Sequence, residues 1–354
     1  MAETLEAAQH AASLVKVAYA GERPATDMSS SAGNPDQPEN YPRGDVEVAL
    51  RQARSRIDRT YRLQREHHNS MEPHATLARW DGDRLTVWDK TQMVQGTRAA
   101  LASVFGIDEQ SVRVISPFVG GAFGSALRAW PHVTIAALAA SQVRRPVKVV
   151  LTREQMYTGT GFRPVTEYKL TLGADERGRL TAAVHDIRAE TSTYEDYREA
   201  LLTQGQMVYT TPNVRQTYRS IPLDINTPTW MRGPGAATAA YAIECAMDEL
   251  AHEAGIDPIE LRLRNEPDQD PGTGAPFSTR RLRECLRTGA DIVGWDDRNP
   301  EPRSTATGWS APGSPWPPTT PPAPPPRRRP GSPPTAPPPS SPPPPTWDPA
   351  PTPP

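Results

Sequence analysis

Cysteine is nearly absent. Cys245 and Cys285 are the only two in 354 residues, and they form no Cys-x-x-Cys pair. A disulfide framework and a thiolate metal knuckle are both excluded. No run of 18 apolar residues occurs, which excludes a membrane-spanning helix. Charge of one sign is missing as well: Lys plus Arg number 39 and Asp plus Glu 41, a formal net charge of −2. Nothing therefore draws the chain over long range to nucleic acid or an anionic membrane. No basic stretch followed by an apolar core opens the sequence, so no export signal is visible, and the composition reads as that of a soluble cytoplasmic protein. Residues 311–354 lack Leu, Ile, Val, Phe and Met, and so hold nothing with which to build a core.

What that last stretch has is proline. It carries 23 of the 42 prolines, against 19 in residues 1–310. A single 354-residue globule is excluded, leaving roughly 300 residues of foldable chain. Thr4–Val17 has helical apolar spacing with acidic residues in the first turn. Residues 21–45 are rich in Pro, Gly, Ser and Asn and read as a linker. From there strands and helices mix. Ala75–Trp80 and Arg84–Trp88 form a hairpin around Asp81-Gly82, and Thr97–Phe105 is a helix closed by Gly106. Val112–Val119 and Val147–Thr152 read as strands around a helix at Ala126–Val143 with Pro131 in its first turn. Glu167–Leu172 and Leu180–Ala189 form a second hairpin. Helices follow at Ala239–Ala254, after Asp257-Pro258, and from Ser278. The absence of a strict strand–helix repeat predicts an α+β fold.

Three segments carry residues suited to chemistry. Gly120-Gly121-Ala122-Phe123-Gly124 follows a strand and precedes a helix, where backbone amides can approach an anion closely. It is neither a Walker loop nor GxGxxG, and glycine marks plain turns more often than sites. Met231-Arg232-Gly233-Pro234-Gly235 fixes an arginine at a helix entrance, a place for bidentate contact with an anion or a carbonyl, or an ordinary loop. His68-Asn69-Ser70-Met71-Glu72-Pro73-His74 has metal-binding residue types without zinc spacing, so polar turn residues leading into a strand are the better reading, with His74 structural. Cys245 sits on the apolar face of its helix and reads as core.

In order and interval, Met71-Glu72-Pro73-His74, Thr91-Gln92, Gly120–Gly124, Met231–Gly235 and Ala246–Ala251 resemble the molybdenum-cofactor-binding subunit of the xanthine dehydrogenase/aldehyde oxidase family, in its bacterial aldehyde-oxidoreductase-like branch. The resemblance covers most of residues 1–300. It implies a molybdenum ion held by pterin sulfurs rather than side chains, so no protein residue is expected as a metal ligand. The pterin would be the plain molybdopterin or its cytosine dinucleotide. The resemblance further implies that Gly120, Gly121, Ala122, Phe123 and Gly124 cradle the cofactor and that Gln92 bonds its oxo group. Arg232 would lie on the cofactor's far side or line the substrate pocket. Relatives hydroxylate aldehydes or N-heterocycles with water as oxygen source and pass electrons to 2Fe-2S and FAD groups on partner subunits. Purine-specific relatives carry an acidic residue where this chain has Leu127, and an apolar wall leans towards aldehydes.

Two departures qualify that resemblance. It implies that residues 1–20 are the last helix of an α/β hammerhead domain, 21–45 a linker, 46–298 the first half of the cofactor-binding domain, and 299–354 a disordered proline-rich tail. The family's general-base glutamate, in a Gly-x-Gly-Glu context, has no counterpart in these 354 residues, so no catalytic residue is assigned and the chain is expected to be inactive alone. G+C-rich codons for Ser304–Pro321, read two bases later, can spell a glycine-punctuated strand of family type, a pattern expected if a frameshift near Arg303 produced the tail. The alternative is a non-catalytic interaction protein. Pro324–Pro330 with Arg327–Arg329 resembles a PxxP ligand for an aromatic groove.

Overall fold

The computed structural model describes residues 4–30 and 42–298, and two short antiparallel strands at Arg303–Thr305 and Gly308–Ser310. The disorder and the PxxP ligand expected of 299–354 otherwise lie outside the described residues. The chain divides into two units, residues 1–280 and 281–354.

The first unit begins with α1 (Leu5–Ser13), capped by the Thr4 hydroxyl, which accepts from the Ala7 N–H at 3.2 Å. The helix ends before the expected Val17, leaving Leu14, Val15 and Val17 exposed. Within the segment read as a linker, Met28 is buried against Ile221 and Leu223. The Ala25 N–H donates to the Asp224 carboxylate at 2.8 Å, so this stretch is fastened down. Next come α2 (Val46–Gln52), capped by Asp45, and β1 (Ser55–Leu63). The expected hairpin forms as β2 (Ala75–Asp81) and β3 (Arg84–Asp89), with Asp81 paired to Arg84 and Gly82 at φ +61°. There follow α3 (Val94–Phe105), closed by Gly106 at φ +63°, β4 (Val112–Ile115), α4 (Pro131–Val143), β5 (Val147–Val150) and α5 (Arg153–Gly159). The unit is completed by β6 (Thr166–Ala174), β7 (Leu180–Ser192), α6 (Leu202–Met207), β8 (Asn213–Leu223), α7 (Ala236–Ala254) and α8 (Pro258–Asn265). In the second unit, α9 (Leu282–Val293) ends at Gly294 in the left-handed region.

Two four-stranded sheets organise the first unit. One has the order β1-β6-β7-β8, antiparallel except for the parallel β7/β8 pair, and the other the order β4-β3-β2-β5, antiparallel except for β3/β4. The first sheet is covered by α7, whose Ala239, Ala242, Ile243, Ala246, Met247 and Leu250 recur at helical spacing and meet Tyr168, Leu170 and Ile187. Alanine at three of these six contacts lets the helix close on the strands. Cys245 packs against this core, as its helical position predicts. The second sheet is covered by α3 and α4 through Leu101, Val133, Ala136 and Ala140.

Two differences from the sequence reading shape the site. β4 stops at Ile115 rather than Val119, because the Ser116 hydroxyl takes both backbone groups of Thr91 and Pro117 has no N–H to continue the ladder. The helix expected over Ala126–Val143 is split. Pro131 holds Trp130 extended at ψ 163°, and the Ala126 carbonyl is bonded by the Gln92 N–H at 2.9 Å rather than by a helical turn. Ser125–Leu127 is thus an isolated short turn.

Candidate cofactor site

The loop Ser116–Gly124 leaves the second sheet, and the loop Trp230–Gly235 leads from the first sheet into α7. They meet at Gly124. A Cβ there would fall 2.2 Å from the Trp230 carbonyl oxygen, and its φ of +106° is one only glycine adopts without strain. The Arg232 N–H donates to the Phe123 carbonyl at 2.8 Å, which fastens one loop to the other. Phe123 is itself at φ +56°, an outlier for a bulky side chain, and its ring is half-exposed.

The donors in this loop are divided. The Gly120 N–H is taken by Glu72 Oε2 at 2.5 Å and the Gly124 N–H by Gln92 Oε1 at 3.0 Å. Gly121, Ala122 and Phe123 lie between them. Their three consecutive N–H groups have no partner among the described residues, although the Ala122 side chain is buried. With its Oε1 engaged, Gln92 presents an amide Nε2 that no described residue accepts. Arg232 is exposed, and its guanidinium has no partner among the described residues either. Leu127, half-buried in the following turn, is held by its N–H to the Gly124 carbonyl at 3.1 Å.

Five donor groups without acceptors among the described residues therefore share one junction. That donor set fits a polyanionic group such as a phosphate, and the left-handed glycines let it approach the backbone. Among the described residues no group of three or more His, Cys, Asp or Glu could hold a metal ion.

Several supporting residues take roles that the sequence reading did not assign them. His68 to His74, a polar turn by sequence, binds both loops: His68 Nε2 donates to the Trp230 carbonyl at 2.8 Å, and Glu72 takes Gly120. The carbonyl acceptor fixes the proton on Nε2. Lys90, buried beneath this segment, donates to Ser70 Oγ at 3.0 Å and to the Glu72 carbonyl at 2.5 Å. Burial pulls its ammonium below the usual lysine range, against the opposing pull of Glu72. Next to it, burial raises the Asp89 carboxyl to about 6 and lowers His74 to about 3 and His132 to about 4. On the other side, Arg163 donates to the carbonyls of Met231 (3.4 Å) and Arg232 (2.5 Å). It pairs with Glu66 at 2.7 Å and faces the fully buried Glu199 at 3.9 Å. Burial raises the Glu199 carboxyl, and Arg163 opposes that rise. A basic residue far from any glycine motif leaves no sequence signal of such a role.

Fold, donor set and loop junction define a cofactor-binding domain, and comparison with known proteins says which. Residues 32–266 match the family described as the molybdopterin cofactor-binding domain, and the chain belongs to that family. It is 40% identical over 313 residues to the aldehyde oxidoreductase molybdenum-binding subunit PaoC of Escherichia coli K12, covering 87% of this chain and 43% of that protein. It is 31% identical over 267 residues to the xanthine dehydrogenase molybdenum-binding subunit of Escherichia coli O157:H7, covering 73% of this chain and 35% of that protein. The chain thus spans less than half the length of either relative. Its fold is shared with the aldehyde oxidoreductase of Desulfovibrio gigas, at a TM-score of 0.75 and 24% identity, over 86% of this chain and 36% of that one. The chain is thus similar, over most of its own length, to molybdenum-binding subunits of the xanthine dehydrogenase/aldehyde oxidase family. The α+β fold expected from the sequence is the one observed. Among the described residues no helix is long and apolar enough to cross a membrane.

Proposed function

We propose that this chain holds one side of a molybdenum–pterin cofactor, as plain molybdopterin or its cytosine dinucleotide, in a hydroxylase acting on aldehydes or N-heterocycles. The observation that carries the reading is the set of five unpartnered donors at Gly121, Ala122, Phe123, Gln92 and Arg232. The three backbone N–H groups would hold phosphate oxygens, Gln92 Nε2 would donate to an oxygen on the metal side, and Arg232 would close the cradle from the second loop. Gly120 and Gly124 serve the same site by spending their N–H groups on Glu72 and Gln92. The bound group would supply the redox chemistry, with water as oxygen source. Electrons would pass to an iron–sulfur subunit and an FAD subunit. Leu127 would form an apolar wall of the substrate pocket, favouring aldehydes over purines.

The chain alone is proposed to be inactive. Its sequence holds no Gly-x-Gly-Glu, Glu72 is committed to Gly120, Glu66 is paired with Arg163, Asp89 accepts from Thr76, and the Glu199 side chain is fully buried, so none of these carboxylates is poised as a general base. The test is titration of the purified chain with molybdopterin released from a donor protein, followed by pterin fluorescence. Saturable binding that weakens at least about ten-fold in R232A, from loss of a charge-assisted contact, supports the reading, together with no turnover of benzaldehyde or xanthine. Absence of binding, or turnover by the chain alone, overturns it. In a complex rebuilt with the partner subunits, faster turnover of xanthine than of benzaldehyde overturns the role of Leu127.

A further inference from the structure

We infer that Glu72 is the positioning residue of the cradle, acting as a backbone-binding clip that sets which amides of the glycine loop face the ligand. This rests on the reading of the loop as a pterin cradle. Glu72 bonds Gly120 in both directions: its Oε2 accepts from the Gly120 N–H at 2.5 Å, and its own N–H donates to the Gly120 carbonyl at 3.1 Å. The fit leaves no space, since a Cβ at Gly120 would lie 2.7 Å from Glu72 Cβ and 2.8 Å from Oε2. Gly120 has no positive φ, so the contact with Glu72, and not backbone conformation, demands glycine there.

The clip is anchored from behind by two cations. Lys90 Nζ donates to the Glu72 carbonyl and Ser70 Oγ, while Arg153 donates to the carbonyls of Ser70 (2.7 Å) and Met71 (3.1 Å). Every backbone carbonyl from Ser70 to Glu72 is thus held by a charged donor, a strong class of hydrogen bond. The segment cannot shift without breaking several such bonds. Gly120 is therefore fixed at one end of the loop and Gly124 at the other, where Gln92 holds it. The three amides between them are left turned away from the protein's own acceptors.

The experiment is site-resolved amide exchange on the full chain, paired with the molybdopterin titration, for wild type, E72A and E72Q. In E72A the Gly120 amide is expected to exchange about ten-fold faster, and the affinity for molybdopterin to fall about ten-fold, the usual worth of one charge-assisted bond. The Gly124 amide should be unmoved. In E72Q the side-chain carbonyl still accepts from Gly120 without the charge, and both quantities should fall between those of wild type and E72A. Unchanged Gly120 exchange in E72A overturns the inference, as does an E72Q variant as impaired as E72A, or acceleration that spreads equally to Gly124. If wild type binds no molybdopterin, the cofactor reading fails, while the exchange data still decide whether Glu72 holds the loop.

Discussion

The two loops of the cradle are built by different means. Ser116–Gly124 presents backbone amides, and its shape comes from glycines at positive φ and from two side chains that accept from its amides, Glu72 from Gly120 and Gln92 from Gly124. Trp230–Gly235 presents a side chain, Arg232, and its carbonyls are held by buried or part-buried rings and cations, His68 on Trp230 and Arg163 on Met231 and Arg232. The first loop carries its amides in five consecutive residues, although Glu72 and Gln92 fix its two ends from elsewhere in the chain. The second depends on charges supplied from distant β-segments. A backbone site tolerates side-chain change but not added bulk, whereas a charge-held loop tolerates bulk better than loss of a partner.

That contrast is sharpest in R163M. Removing the guanidinium strands the Glu199 carboxylate, whose side chain is fully buried, and should cost roughly 3–5 kcal/mol in urea unfolding. Adding E199Q should recover part of the loss, because the stranded charge disappears. No loss in R163M would break the view that buried charge holds the second loop. For the first loop the matching variant is G124A, expected to cost about 3 kcal/mol, since its methyl meets the Trp230 carbonyl at a φ unsuited to alanine.

Acid probes the sheets beneath the loops. In the fold His74 titrates near 3, and His132 and His185 near 4, all lowered by burial. The unfolded chain takes up those protons near 6.5, so stability present above that pH is lost as it falls towards 4. Asp89, raised to about 6, works in the opposite direction, gaining stability as pH falls from about 6 to 4, and offsets part of the loss. H185Q should remove about 3 kcal/mol of the acid-induced loss. An unchanged slope between pH 6.5 and 4 would contradict burial of a neutral His185. The smallest effect belongs to R232A. Its guanidinium makes no hydrogen bond or ion pair with a described residue, so stability should stay within about 0.5 kcal/mol of wild type while molybdopterin affinity falls.

Much of the fold was legible because its signals are local. Asp81-Gly82 marks the hairpin, Gly106 and Gly255 close their helices at positive φ, and Asp257 caps α8 with its carboxylate on the N–H groups of Ile259 and Glu260. β8 escaped notice because its buried face alternates apolar with polar residues, Val214 and Tyr218 with Gln216 and Ser220, which blunts the period-two signal. The broken helix at Ala126 was hidden for another reason. Its carbonyl is claimed by Gln92 from another element, a tertiary bond that helix propensity does not register. In the site, the glycine loop and Arg232 stood out, whereas Lys90 and Arg163 act through contacts formed only after folding.

The account's central claim is that Gly121, Ala122 and Phe123 are the amides left open for a phosphate-bearing pterin. Residue-resolved amide exchange across Gly120–Gly124, with and without molybdopterin, tests it most directly. The prediction is that Gly120 and Gly124 are already protected in the free chain and that added molybdopterin protects Gly121, Ala122 and Phe123. Prior protection of those three amides, or no change on addition of molybdopterin, would contradict it.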